Sequence, residues 1–265
     1  MSLRIASLFR HPVKGLSAEP RDAVELFAGC GVPEDRRFAI ARSGPGGAAG
    51  EDPPHWQPKR AFHALHTVPG LAAIESRWDE GRGRLELRRE GVLLAAGDPR
   101  DPDARRALES CLGEWIGADT VPRLVEARGF AHTDSPDPLV SIVSLASLAE
   151  LERAVGRAVD VRRFRANVVI GGGLPWQELD WVGREIGCGD VRLRVREAIV
   201  RCPAIHADPG GRGADLDLLR PLLRLNGEAV FGVYAEVVAG GRLAVGVSVH
   251  APPGGRPPAR DGFRR

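Results

Sequence analysis

Apolar and polar residues alternate through LRIASLF at the start of the chain, the pattern of a half-buried strand, until Pro12 and Gly15 in HPVKG break it. The same reading predicts strands in AVELFAG and RRFAIAR, with GCGVPED as the turn between them. A further pair, RLELRRE and VLLAA, makes the first part of the chain mostly β. Between these pairs, residues 43–54 have no periodicity and carry four Gly and three Pro, so a loop or flap is expected there.

Helical spacing begins at Asp101-Pro102, a cap followed by a proline in the first turn. Ala104, Leu108, Cys111, Leu112 and Trp115 then fall along one side, and Gly117 closes the helix. A polar, turn-rich stretch, GFAHTDSPDP, separates this half from a second helix that starts at Ser144 or Ser147. Glu150 would complete a capping box with Ser147, and Leu145, Leu148, Leu151 and Val155 would face inward. Beyond it, NVVIG reads as a buried strand, REIGCGDVRLRVREAIVRC as two or three short strands, and DLDLLRPLLRL as a third helix. EAVFGVYAEVVAGGRLAVGVSV has the form of a hairpin turning at Ala239-Gly240-Gly241. The pattern therefore predicts a mostly β protein with a few helices, divided into a β-rich segment 1–120 and a second segment 121–250. The tail, 251–265, has the composition of a disordered end.

Charge narrows the function. With 37 Lys plus Arg against 35 Asp plus Glu in 265 residues, the formal charge is +2, too balanced for a chain whose main task is gripping nucleic acid. No stretch is long and apolar enough to span a membrane or to serve as a signal peptide, so a cytoplasmic protein is expected. Cys30, Cys111, Cys188 and Cys202 are scattered without a C-x-x-C pair, which argues for reduced thiols and against cysteine-built zinc or ferredoxin sites. Only two of the basic residues are lysines, Lys14 and Lys59. Arginine dominance reads as codon bias, but a retained lysine can also mark a place where a compact point charge is needed.

Three windows could carry chemistry. In VRCPAIHADPGG, Cys202 ends a β-run just before Pro203, and Arg201 beside it would favour the thiolate needed for nucleophilic attack or metal ligation. His206 and Asp208 follow, and taken alone a cysteine at a strand end is more often structural. In FRANVVIGG, Arg165 and Asn167 would point to one side of a strand, a pair able to read a heterocycle or a phosphate. An Arg at a strand edge beside a turn-capping Asn is the simpler alternative. Lys14, set in a turn with Gly15 and Ser17, could form a phosphate corner with Arg36 of EDRRF.

Taken in order, HPVKG, DRRF, SLASLAEL, FRANVVI, the GDVRLRV strand pair, Arg201-Cys202 followed by Asp208-Pro209, and FGVYAEV resemble the MOSC family, named for the C-terminal domain of molybdenum cofactor sulfurase. The resemblance extends over about residues 3–249 and takes in the N-terminal β-barrel domain that accompanies MOSC in the mitochondrial amidoxime reducing component and its bacterial relatives. It implies a MOSC β-barrel domain preceded by a β-barrel-like domain, and a molybdenum–molybdopterin cofactor. It makes Cys202 the metal ligand and catalytic residue, with Arg201 in the cofactor site. It gives Lys14, Arg36, Arg165 and Asn167 the pterin and its phosphate, and places Tyr234, the chain's one tyrosine, near the cofactor. Gly15 stands where a Ser commonly follows the lysine, and His206-Ala207 departs from the usual residues before Asp-Pro. The implied activity is two-electron reduction of a small N-hydroxylated substrate to amine or amidine plus water. A sulfur (persulfide) carrier or a cofactor-binding module is the alternative. No C-x4-C-x2-C run for a fused [2Fe-2S] domain is present, so a separate ferredoxin, cytochrome or flavoprotein is the expected electron donor.

Overall fold

The computed structural model describes residues 2–42, 52–117 and 122–252. Most of the loop expected at 43–54 and nearly all of the tail lie outside the described residues. Fifteen strands and three α-helices are present among the described residues, a mostly β architecture.

The largest element is an eight-stranded sheet in the order β15-β11-β12-β13-β9-β10-β1-β2. Its strands are β1 (Arg4–Arg10), β2 (Glu19–Arg21), β9 (Val140–Ser144), β10 (Val168–Gly171), β11 (Glu185–Cys188), β12 (Val191–Val200), β13 (Val230–Ala239) and β15 (Val249–His250). All neighbours are antiparallel except β9 and β10. The sheet returns on itself: Arg4 bridges Ser248, and the Val249 amide donates to the Leu3 carbonyl at 3.0 Å. Alternate strand side chains fill the interior, among them Ile5, Leu8, Ile142, Val168, Ile170, Leu193, Val195 and Val233, and Trp181 from a 3-10 helix, Gln177–Trp181, packs with them. The first strand of the chain thus belongs to the sheet of the second half.

A second core lies under β4 (Phe38–Ala41), which pairs with β8 (Arg123–Glu126), and under the meander β5 (Glu75–Asp79), β6 (Arg84–Arg89) and β7 (Val92–Gly97). Helix α1 (Pro102–Ile116) closes it with Leu108 and Leu112 against Phe38, Trp78, Leu85 and Leu87. The Asp101 side chain accepts from the Asp103 and Ala104 amides, and Gly117 ends the helix in the left-handed region, as its sequence requires.

Several local expectations are corrected. Helix α2 (Leu145–Val155) is capped by Ser144, whose hydroxyl accepts from the Ala146 amide at 3.2 Å. Ser147 forms no capping box with Glu150: it is buried, donates to Glu178 at 2.8 Å and accepts from the Trp176 amide at 2.7 Å. Leu145, one residue after the cap, is exposed rather than inward. The expected hairpin after β13 does not form. Both edges of β13 are taken by β12 and β9, so β14 (Gly241–Ala244) leaves the sheet and pairs with the free edge of β3 (Ala23–Leu26). Gly240 permits the departure, since a Cβ there would stand 2.3 Å from the Leu26 carbonyl oxygen. Finally, Arg165 is not on a strand. It ends a short 3-10 helix, Val161–Phe164, with φ of 52°, and β10 begins only after Asn167. Helix α3 (Leu219–Asn226) is shorter than its pattern suggested.

Candidate functional site

Seven residues singled out by the sequence, Lys14, Arg36, Arg165, Asn167, Arg201, Cys202 and Tyr234, line one solvent-open cavity. Strand order brings them there. Lys14 follows β1, Arg36 precedes β4, Arg165 and Asn167 precede β10, and β1 and β10 are hydrogen-bonded neighbours. Arg201 and Cys202 lie just past the end of β12, and Tyr234 sits on β13 beside it, with its Cα opposite Ser141 and Glu197.

Two of these residues, Arg36 (φ 48°) and Arg165 (φ 52°), hold left-handed backbone conformations that non-glycine residues rarely adopt. Hydrogen bonds over-determine both. The Arg36 amide donates to the His11 carbonyl at 2.6 Å, its carbonyl accepts from the His132 amide at 2.9 Å, and its guanidinium donates to the Arg165 carbonyl at 2.7 Å. Arg36 also pairs with the buried Asp35. Burial pushes the Asp35 carboxyl upward, but the Arg36 charge and the His11 contact outweigh it and hold it well below the usual carboxylate range.

The remaining cations differ in their counter-charges. Arg165 donates to the Leu16 carbonyl and has no carboxylate partner among the described residues, while its buried Nη2 is left without any hydrogen bond. Burial, then repulsion from Arg36, lowers its guanidinium to about 9. Arg201 donates only to the carbonyls of Phe231, at 2.8 Å, and Phe164, at 2.9 Å, and burial lowers it to about 10. A half-buried cation with donors to spare has lost part of its hydration and gains when an anion meets it. Lys14, by contrast, donates to the His132 carbonyl at 2.9 Å and to Asp134 at 2.6 Å.

Asn167 is committed to the scaffold. Its Oδ1 accepts from the Ser141 hydroxyl at 2.8 Å and its Nδ2 donates to the Phe9 carbonyl at 3.3 Å, so it joins β9 to β1 and keeps one amide N–H unclaimed. The Cys202 thiol is half-buried and free; Cys202 is the N-cap of a 3-10 turn, Pro203–His206, and its side chain makes no capping hydrogen bond. The Tyr234 hydroxyl makes no hydrogen bond among the described residues, and burial pushes it up.

Two residues of the Cys202 window serve the scaffold instead. His206 lies 3.6 Å from Asp217 and is not part of the cavity wall. Asp208 accepts from Arg163 at 3.2 Å and from Arg212 at 2.8 Å. Lys59 is exposed and lies outside the wall. The sequence reading overlooked Asp134 and Arg163, which do line the cavity; a carboxylate in a polar, turn-rich stretch carries no local signal of a distant lysine partner.

The MOSC N-terminal beta barrel domain model matches residues 2–128, and the MOSC domain model matches residues 130–250. The YUAD protein of Bacillus subtilis is 14% identical with a TM-score of 0.46, covering 96% of this chain and 98% of its own. YiiM from Geobacillus stearothermophilus is 16% identical with a TM-score of 0.33, covering 43% and 54%. No curated protein matches the chain. No helix among the described residues is long and apolar enough to cross a membrane. With both of its models matched end to end along the chain, the protein belongs to the MOSC family, carrying the N-terminal beta barrel domain ahead of the MOSC domain.

Proposed function

We propose that the cavity holds a molybdenum–molybdopterin cofactor and that the protein reduces small N-hydroxylated compounds with electrons from a separate ferredoxin, cytochrome or flavoprotein. One observation carries this reading: Arg165 and Arg201, half-buried cations with no carboxylate partner among the described residues, share a cavity with the free Cys202 thiol. The donor set suits the group. A thiolate is a soft ligand for a metal that also carries dithiolene sulfurs, and guanidinium forks with an unclaimed N–H suit a phosphate monoester.

In this arrangement Arg165, Arg36 and Lys14 would bind the phosphate, Asn167 and Ser141 would hold the strands that frame the pterin, and Cys202 would ligate the metal. When bound, the cofactor supplies a two-electron couple able to remove oxygen from nitrogen, with two electrons and two protons converting the N–OH group to N–H and water. The protein's part is to orient it and shape access. Arg201 braces the chain on both sides of Cys202's neighbourhood by tying the Phe164 and Phe231 carbonyls.

The test is metal and pterin analysis of protein made in a molybdopterin-competent host, beside Cys202→Ala, followed by amidoxime reduction with a reduced viologen. Molybdenum and pterin in the wild type, with the metal lost in Cys202→Ala, is the expected result. Wild type without either would refute the proposal. Bound cofactor with no reduction would leave a carrier or binding module in its place.

A further inference from the structure

Among the cavity's cations, Lys14 is distinguished by a counter-charge on the open wall. Its side chain is 9% exposed, whereas that of Asp134, which accepts from it at 2.6 Å, is 54% exposed. Arg36 has a buried carboxylate on its inner side, and Arg165 and Arg201 have carbonyls only. Asp134 is held over the cavity by a braced turn. The Trp56 indole donates to the Thr133 carbonyl at 3.0 Å, the Thr133 hydroxyl donates to the Ser135 carbonyl at 2.6 Å, and the His132 amide is tied to Arg36. Only the carboxymethyl group is free to turn. Its negative charge is felt at Arg165, Arg201 and Tyr234 as well as at Lys14.

We propose that Asp134 is a built-in counter-anion that occupies Lys14 in the ligand-free protein and yields it, turning toward solvent, to a phosphate-bearing ligand. The inference rests on the reading of the cavity as an anion site and adds a selectivity device to it. A nearly buried lysine left unpaired would be costly, so the empty cavity keeps its own carboxylate in place. A small monoanion such as chloride exchanges one charge for another at Lys14 and gains little. A phosphate dianion meets the unclaimed donors of Arg165 at the same time, so it alone is compensated for breaking the Lys14–Asp134 pair. Asp134 thus screens out chloride without blocking the intended ligand.

The experiment is calorimetric titration of inorganic phosphate, with chloride as competitor, into the full chain made in a host lacking molybdopterin. Asp134→Asn and Asp134→Ala should bind phosphate about five- to tenfold more tightly than wild type, the scale of a partly exposed ion pair, and should become sensitive to chloride. Equal or weaker phosphate binding in both Asp134 variants would overturn the proposal and make Asp134 a positioning residue for Lys14. Absence of phosphate binding in every variant would overturn it as well. Molybdopterin co-purification from a competent host separates the two claims. Tightened phosphate binding without any bound pterin leaves the counter-anion and removes the cofactor, and bound pterin with no tightening does the reverse.

Discussion

Acidification should weaken the fold by an amount set by three buried groups that oppose one another. His11 and His132 are inaccessible to solvent and lowered from 6.5 to about 3, His11 by burial and then by Arg36, His132 by burial and then by Lys14. His132 sits edge-on between Phe62 and Phe130, and neither of its ring nitrogens has a hydrogen-bond partner. The unfolded chain takes up protons that these rings refuse, so their contribution is intact above 6.5 and declines as pH falls toward 3. Between pH 7 and 5 that is about 2 kcal/mol for each ring, or about 4 together. Glu178 acts in the opposite sense. Burial raises its carboxyl from 4.5 to about 7, so the folded state keeps a proton that the unfolded state releases. It destabilises the fold increasingly as pH rises from 4.5 toward 7, and acidification across the same window returns about 2 kcal/mol. His63, also lowered by burial and by Arg42, adds modestly to the histidine side.

The net expectation is a loss of about 2 kcal/mol between pH 7 and 5, a substantial share of a typical domain's stability. Urea unfolding followed by tryptophan fluorescence at several pH values would measure it. Glu178→Gln mimics the protonated acid, so it should deepen the loss to about 4 kcal/mol. His132→Phe keeps the aromatic packing and should bring the loss close to zero. A wild-type profile that rises on acidification, or a His132→Phe profile as steep as wild type, would refute the reasoning.

Other outcomes can be stated briefly. Arg163 is buried and donates to the His206 carbonyl at 2.8 Å and to Asp215 at 2.7 Å, besides Asp208. Arg163→Met removes the one buried cation shared by Asp208 and Asp215 and leaves them the more exposed Arg212 and Arg157, so it should cost about 2–3 kcal/mol in urea unfolding; a cost below about 0.5 kcal/mol would contradict the assignment. Gly232 has φ of 79°, and a Cβ there would lie 2.3 Å from the Ile142 carbonyl oxygen. Gly232→Ala should therefore lower the melting temperature steeply or abolish folded protein, and an unchanged melting curve would show that β9 and β13 can separate locally. The Cys202 thiol caps nothing. Cys202→Ser should stay within about 0.5 kcal/mol of wild-type stability by the same measurement, whatever it does to metal content.

Where a feature depended on residues close in sequence, it could be read in advance. The Asp101 cap, the Gly117 stop, the strand period of β1 and β6, and the family blocks around Lys14, Arg165 and Cys202 are all local patterns. What escaped depended on distant competitors. Ser147 looked like a cap because nothing nearby reveals that Glu178 will claim its hydroxyl. Arg165 and Asn167 alternate as strand residues do, yet the tie from Arg36 to the Arg165 carbonyl fits a left-handed turn instead. The partner of β14 follows from both edges of β13 being occupied, a fact of sheet order rather than of the Gly-Gly pair. Asp134 meets a lysine from the opposite end of the first half of the chain, which no periodicity encodes.

The placement of β1 bears on how this protein can be divided. A cut at residue 129, between the two matched family segments, would leave Lys14 and Arg36 on one fragment and Arg165 and Cys202 on the other. It would also strip β1 and β2 from the sheet and expose the edge of β10 as a template for unwanted pairing. The two segments are therefore not interchangeable cassettes. A graft of either onto a relative would have to carry a strand that pairs with its new neighbour, so the binding site is inherited as a joint property of both.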